Sequence, residues 1–403
     1  MRRTKLFWVV PVVLGLLLVM TTMSYAARGV TKDTIKLGFL LVKTGPIAAL
    51  GIPGGSGWTD YWKYINDTEG GINGRKIISI WEDDEFKVEK AVTQYNKLMH
   101  KDKVLAVANM GSTPATMALM ATINRDKNVT ITNGLEEELF VPLKPYMFSI
   151  LAFYEDQIDV MFDYIMDELK EKDPKIGVVY SQTAFGKKCH DAAVKRAKEY
   201  NIKLVAELVL PHGSIDASAQ VLALKKAGAK YVIFASLLPA MISILKDSAK
   251  YDYQGTFFAI CWSTDPKVVA LTGEAAKNYY GTYSSGAWSD QTPGMALVRK
   301  IAAHTKRGAM AKDMCYTYYI GMAMVYAEGI RRCGDDVSPE NLRKAFETMR
   351  NFDTQGIIPP VTFTNTDHVS THKVRLFKAD VPNKTLKTVA SGTSAWRSPK
   401  KLK

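Results

Sequence analysis

The chain has 403 residues, 47% of them hydrophobic and 23% charged, with 28 Gly and 16 Pro. That composition excludes a disordered, coiled-coil or collagen-like chain and leaves room for two or three packed units. The formal charge of +13, from 53 Lys+Arg against 40 Asp+Glu, is interleaved with acids instead of gathered in a stripe, so it reads as a solvated basic surface and no nucleic-acid partner is expected.

Residues 1–26 carry basic Arg2, Arg3 and Lys5, an apolar run from Leu6 to Met20, and small Ser24 and Ala26. This is the pattern of an export signal cut after Ala26; the rival reading, a retained anchor, calls for about 20 apolar residues. No cysteine lies near the cut to carry a lipid, and the periplasm is the expected location.

From residue 34 onward, β-rich apolar runs alternate with segments of helical period. Strands are predicted over 35–42, 77–81, 104–108 and 129–132, with helices over 58–65, 88–100 and 115–125 between them. This βαβα order implies an α/β fold with parallel strands covered on both faces. After an irregular stretch over 136–152 the pattern restarts: helices over 156–171, 187–200, 217–226 and 240–250, and strands over 176–180, 204–210, 231–235 and 256–260. Helices over 295–305, 314–332 and 339–349 come last, before a β-rich tail through 374–377. One sheet holding all these strands would be unusually wide, so two Rossmann-like lobes with a ligand cleft between their strand ends are expected. The basic run over 397–403 reads as a lipid contact or a disordered tail.

Little in the sequence supports enzymatic chemistry. No CxxC or Cys/His cluster marks a metal, and Cys189, Cys261, Cys315 and Cys333 are too few for a disulfide scaffold. His368 and His372 are spaced i, i+4 but lie in a strand-like or loop-like stretch, so that spacing does not bring them together on a helix face. Gly51 to Gly57 lacks the GxGxxG spacing and reads as a flexible turn, and no GxSxG elbow surrounds Ser56 or Ser112. Glu82 to Glu85 reads as capping at a strand-to-helix junction.

Three connections share a strand, turn and helix-start grammar: 43–51, 109–116 and 235–239. In the second, Thr113 is expected as N-cap with Pro114 at the first helical position, which points backbone N–H groups toward a carboxylate ligand or simply caps the helix. Glu136, Glu137 and Glu138 follow a strand end beside the expected cleft, either as site residues or as a helix first turn. Phe153 and Tyr154 at the first crossing, Phe185 in a strand-to-helix turn and Trp262 after a strand are aromatics in positions where core residues are less expected.

Gly45-Pro46-Ile47-Ala48, Ile65-Asn66, the run from Glu69 to Lys76, Asp83-Asp84, Phe185-Gly186, Pro239-Ala240-Met241 and Phe363 with Asp367-His368 occur in order. Together they resemble the type I periplasmic solute-binding proteins of ABC transporters, in the leucine/isoleucine/valine-binding branch, from about residue 34 to about 378. The resemblance implies a non-enzymatic receptor, without cofactor or metal, that closes around a small amphipathic solute, a branched-chain amino acid or related compound, and delivers it to an inner-membrane permease as a monomer. It implies lobes of residues 27–152 plus 287–370 and 153–286 plus 371–403. It places the ligand carboxylate at Ser112 or Thr113, a second binding segment on Leu135, Glu136 and Glu137, an apolar contact at Leu50 and an aromatic contact at Phe185.

Two departures from the family pattern bear on the solute. The second-lobe aromatic contact falls on Leu237 or Leu238, and the acid that pairs with an amino acid's ammonium falls near Trp262. Either Glu136 or Glu137 replaces that acid, or the ligand is an aromatic or aliphatic carboxylate lacking an amine. The family's disulfide positions fall on Phe86 and Gly111, so that bridge is absent. A sensory ligand-binding subunit is the alternative role on the same fold.

Overall fold

The computed structural model describes residues 27–45, 47–389 and 396–402. The expected export signal, Pro46 of the first cleft motif and Lys403 lie outside the described residues. In the first unit, β1 (Thr34–Leu40) is central in a parallel sheet of order β2-β1-β3, with β2 (Lys76–Glu82) and β3 (Ala106–Met110) on either side. A short parallel pair, β4 (Thr130–Ile131) and β5 (Met147–Phe148), accompanies it. Helices α1 (Ala48–Thr68), α2 (Val88–Asn96) and α3 (Thr113–Arg125) connect these strands.

The second unit is a seven-stranded sheet of order β12-β11-β10-β9-β8-β6-β7. Strands β6 (Ile176–Tyr180), β7 (Ala206–Val209), β8 (Tyr231–Ala235), β9 (Thr256–Ala259) and β10 (Tyr279–Tyr283) run parallel; β11 (Arg375–Asp380) and β12 (Thr385–Val389) close the edge antiparallel. Its helices are α4 (Tyr154–Asp163), α5 (Ala184–Glu199), α6 (Ser218–Lys226), α7 (Leu238–Lys250) and α8 (Pro266–Thr272). The chain then returns to the first unit as α9 (Pro293–His304), α10 (Met314–Cys333) and α11 (Pro339–Glu347). A parallel bridge between Ser149 and Val369 holds two of the crossing strands side by side.

The largest departure from the sequence reading is α1. It begins at Ala48 and runs through Gly51 to Gly57, the segment expected as a flexible turn. The glycines serve close packing: a Cβ on Gly51 would stand 2.0 Å from the Val42 carbonyl oxygen, one on Gly55 2.2 Å from the Trp81 ring, and one on Gly57 2.2 Å from the Tyr316 carbonyl oxygen. Helix α10 therefore lies against α1 with no side chain between the backbones. Pro53 inside α1 cannot donate to the Ala49 carbonyl one turn earlier. That carbonyl instead accepts from Lys267 Nζ of α8, in the second unit, at 2.8 Å.

The segments α8, β10 and β12 were not expected, being short and flanked by polar residues. Over its described part the basic tail is ordered against the second unit. Arg397 pairs in an antiparallel bridge with Val374 and its guanidinium binds Glu168, while the Lys400 amide donates to Asp163 at 2.7 Å. His368 is buried, stacked on Phe148, with Nε2 3.2 Å from Glu347; His372 is separate and meets Asp156 at 2.8 Å. All four cysteines are thiols, and Cys315 and Cys333 stand near opposite ends of α10.

Candidate ligand-binding site

Between the two sheets, at the ends of strands that lead into helices, lies a cleft of about 560 Å³ counting its open mouth. The residues that precede α1, α3, α5 and α7, namely Ile47, Ser112, Thr183 and Leu237, all line it. Ser112 caps its own helix, its Oγ accepting from the Ala115 amide at 3.4 Å, so it rather than the expected Thr113 is the N-cap. The other three helix starts have no side-chain cap. Four helix N-termini thus present partial positive charge to one space, an arrangement that favours an anion.

Most of the rest of the wall is apolar. Leu41, Val42, Leu50 and Phe86 come from the first unit, and Phe185, Leu237 and Trp262 from the second. Tyr154, at the crossing between the units, completes the lining along with Gly111, Thr113, Pro114 and Asn133. Among the described residues, no lining residue carries a charged side chain.

Trp262 is fixed by the turn that follows β9. The Cys261 amide donates to Gln157 at 2.9 Å, the Ser263 hydroxyl donates to the Ser236 carbonyl at 2.5 Å, and the indole Nε1 donates to the Tyr154 hydroxyl at 2.9 Å. Burial, and then the nearby Glu136 carboxyl, hold the Tyr154 phenol protonated, so its own proton is available to an acceptor. Asn133 donates to the Tyr319 hydroxyl while its Oδ1 is buried without a partner.

Of the residues expected at the site, the structure brings Leu50, Ser112, Thr113, Tyr154, Phe185, Leu237 and Trp262 together. It sets five apart from the wall. Leu135 is in the core, Leu238 packs inward on the first turn of α7, and Glu137 faces solvent on a short 3₁₀ turn. Phe153 stacks on Phe140 and meets the His372 ring edge-on. Glu136 lies behind Thr113, only 2% exposed, and neither carboxyl oxygen has a hydrogen-bond partner. Burial pushes its carboxyl up to about 7; its own amide and the Thr113 hydroxyl, close by but outside hydrogen-bonding geometry, offset this only in part.

Sequence reasoning missed Leu41, Val42, Phe86, Asn133 and Thr183. Asn133 follows β4 by two residues, and Thr183 follows β6 just as Ser112 follows β3; that shared position after a strand was the available signal. The acidic run at Glu82 to Glu85 is also structural. Asp83 accepts from the Lys43 amide at 2.7 Å, the Thr44 hydroxyl at 2.7 Å and the Glu85 amide at 3.0 Å, which ties down the loop before α1.

Several contacts join the units around the cleft. Lys267 pairs with Asp313 at the start of α10, the Phe86 ring meets His212 edge-on at 5.6 Å, and Lys188 of α5 pairs with Glu138 at 2.5 Å. Across 34–385 the sequence matches the model of the periplasmic binding protein family. The chain belongs to that family. It is 23% identical over 355 residues to a leucine-, isoleucine-, valine-, threonine- and alanine-binding protein of Pseudomonas aeruginosa, covering 86% of this chain and 92% of that protein. Among solved structures, a branched-chain amino acid ABC transporter protein from Thermus thermophilus with bound valine superposes with TM-score 0.83 at 22% identity, over 90% of this chain and 96% of that one. A fatty acid ABC transporter substrate-binding protein from Thermomonospora curvata superposes with TM-score 0.82 at 21% identity, over 92% and 94%. The fold shared with these solved structures accounts for the paired α/β units described above.

Proposed function

We propose that this chain is the exported solute receptor of an ABC importer, closing two lobes around a small amphipathic carboxylate and handing it to an inner-membrane permease. It is a binding protein and not an enzyme. The lobes are residues 27–152 plus 287–370 and 153–286 plus 371–403, and residues 1–26 direct export to the periplasm. The carboxylate docks at Ser112 and Thr113, and the apolar body lies against Leu50, Phe185, Leu237 and Trp262.

The observation that carries this reading is the convergence of four helix starts on a cleft whose remaining wall is largely apolar and, among the described residues, without a charged side chain. Ligand contacts from both units favour the closed arrangement, and closure is what a permease can sense. A thermal-shift screen against amino acids, aliphatic and aromatic carboxylates and their methyl esters tests it. Carboxylates are expected to raise the melting temperature and their esters to lose that effect. Equal shifts from acid and ester contradict the carboxylate subsite.

A further inference from the structure

Glu136 has no structural task visible in its surroundings. It is almost fully buried, and both of its oxygens lack hydrogen-bond partners. It follows β4, and two residues that line the cleft, Thr113 of α3 and Tyr154 of α4, interact with it. The titratable groups facing it are Glu138 from its own segment, Tyr154 and Glu155 from α4, and Cys189 from α5. Lys188, the cation of this cluster, is engaged by Glu138 at 2.5 Å and Glu155 at 3.2 Å. Burial also raises the Cys189 thiol and the Glu155 carboxyl above their usual ranges, and neither group, being an acid, can supply the positive charge that an ionised Glu136 would need.

Resting on the carboxylate reading of the cleft, we propose that Glu136, buried behind the Ser112–Thr113 subsite with neither oxygen hydrogen-bonded, sets the charge class of the ligand: the cleft takes a carboxylate without an ammonium group and binds it with one proton on Glu136. Two negative charges in one desolvated space repel strongly, so the ligand anion and the Glu136 anion exclude each other. When Glu136 is ionised beforehand, a proton from solvent must join one of its oxygens as the ligand docks. An ammonium-bearing ligand has the opposite preference, because ionised Glu136 would be the counter-charge that the cleft wall lacks. The sign of the pH dependence therefore reports the charge class.

The test titrates the protein with 4-methylpentanoate, and with leucine, which adds only the ammonium, from pH 6 to 8.5. Calorimetry is run in two buffers of different ionisation enthalpy. The expected result is 4-methylpentanoate affinity falling about 30-fold across that range, with uptake approaching one proton at the alkaline end. Glu136→Gln should keep the acid's affinity at its low-pH level throughout and abolish the uptake. Acid binding that is independent of pH, or leucine binding that tightens as pH rises, overturns the assignment of Glu136 while leaving the receptor reading intact. Binding of neither compound, nor of phenylacetate, overturns the carboxylate reading of the cleft and the inference with it. Should the variant fail to fold, the wild-type proton count alone decides.

Discussion

Two buried acidic sites flank the cleft, and they are built differently. At the junction of α8 and α10, Asp265 accepts from the Lys267 amide at 2.8 Å and the Met314 amide at 3.0 Å, while Asp313 accepts from the Cys315 amide at 2.7 Å and binds Lys267 Nζ. Every carboxylate oxygen there has a partner. At Glu136, on the other side, neither oxygen has one. Burial is similar, at 5% and 4% exposure against 2%; satisfaction differs. The first arrangement holds helix starts and joins the units through hydrogen bonds to every carboxyl oxygen, so its role is structural. The second leaves a carboxyl whose protonation is decided by what enters the cleft.

Breaking the first site should cost most. Lys267→Met leaves Asp313 and Asp265 buried without their cation and frees the Ala49 carbonyl that Pro53 leaves unbonded, so a loss of about 4 kcal/mol in chemical denaturation is expected. An unchanged midpoint would mean the α8–α10 junction is no more structural than Glu136. The second site should behave in the reverse sense. The Glu136 carboxyl, raised in the fold to about 7, contributes stability present below its unfolded value and lost as pH rises through its folded one. Glu136→Gln should therefore gain on wild type by on the order of 3 kcal/mol between about pH 4.5 and 7, and no further above. Denaturant curves at pH 5 and 8 measure that gap, and a pH-independent difference would remove the contrast between the sites.

Trp262→Ala tests the second unit's wall of the cleft. It removes both the ring and the donor to Tyr154, and a loss of about 2–3 kcal/mol in binding is expected beside a stability loss of about 3 kcal/mol from the cavity. Equal affinity would take Trp262 out of the site. Gly111→Ala sharpens the comparison through a third buried acid. Gly111 has φ +77°, and a Cβ there would stand 1.7 Å from Asp84 Oδ2, an unpartnered oxygen just behind the wall. A loss of about 2 kcal/mol in stability is expected; a neutral result would show that the loop between β3 and α3 is free to yield.

Much of the fold was legible, because apolar runs of strand length alternate with helical periodicity and each β6-to-α7 element lies within a few residues of its expected place. Helix α1 was not, since Gly51 to Gly57 with Pro53 has every local mark of a turn; only the approach of Tyr316, Trp81 and Val42 makes those glycines helical. At the site, Ser112, Phe185 and Leu237 lie just after strands, where the family resemblance places them. Phe153 was misplaced because it precedes the first residue of α4 and turns toward Phe140, while its neighbour Tyr154 turns to the cleft. The second binding segment was set a few residues late because β4 is only two residues long and Asn133 carries the lining role. Nor could sequence show that Glu136 is buried beside exposed Glu137 and Glu138: an acidic triplet is ordinarily a solvated helix start.

The most direct test of the account is a side-by-side titration of the protein with 4-methylpentanoate and leucine at pH 6, where the two ligands differ only by the ammonium group. The account predicts that the amine-free acid binds at least about tenfold more tightly, since the cleft wall has no charged side chain and Glu136 is uncharged at that pH. Leucine binding as tightly as the acid, or more so, would contradict it.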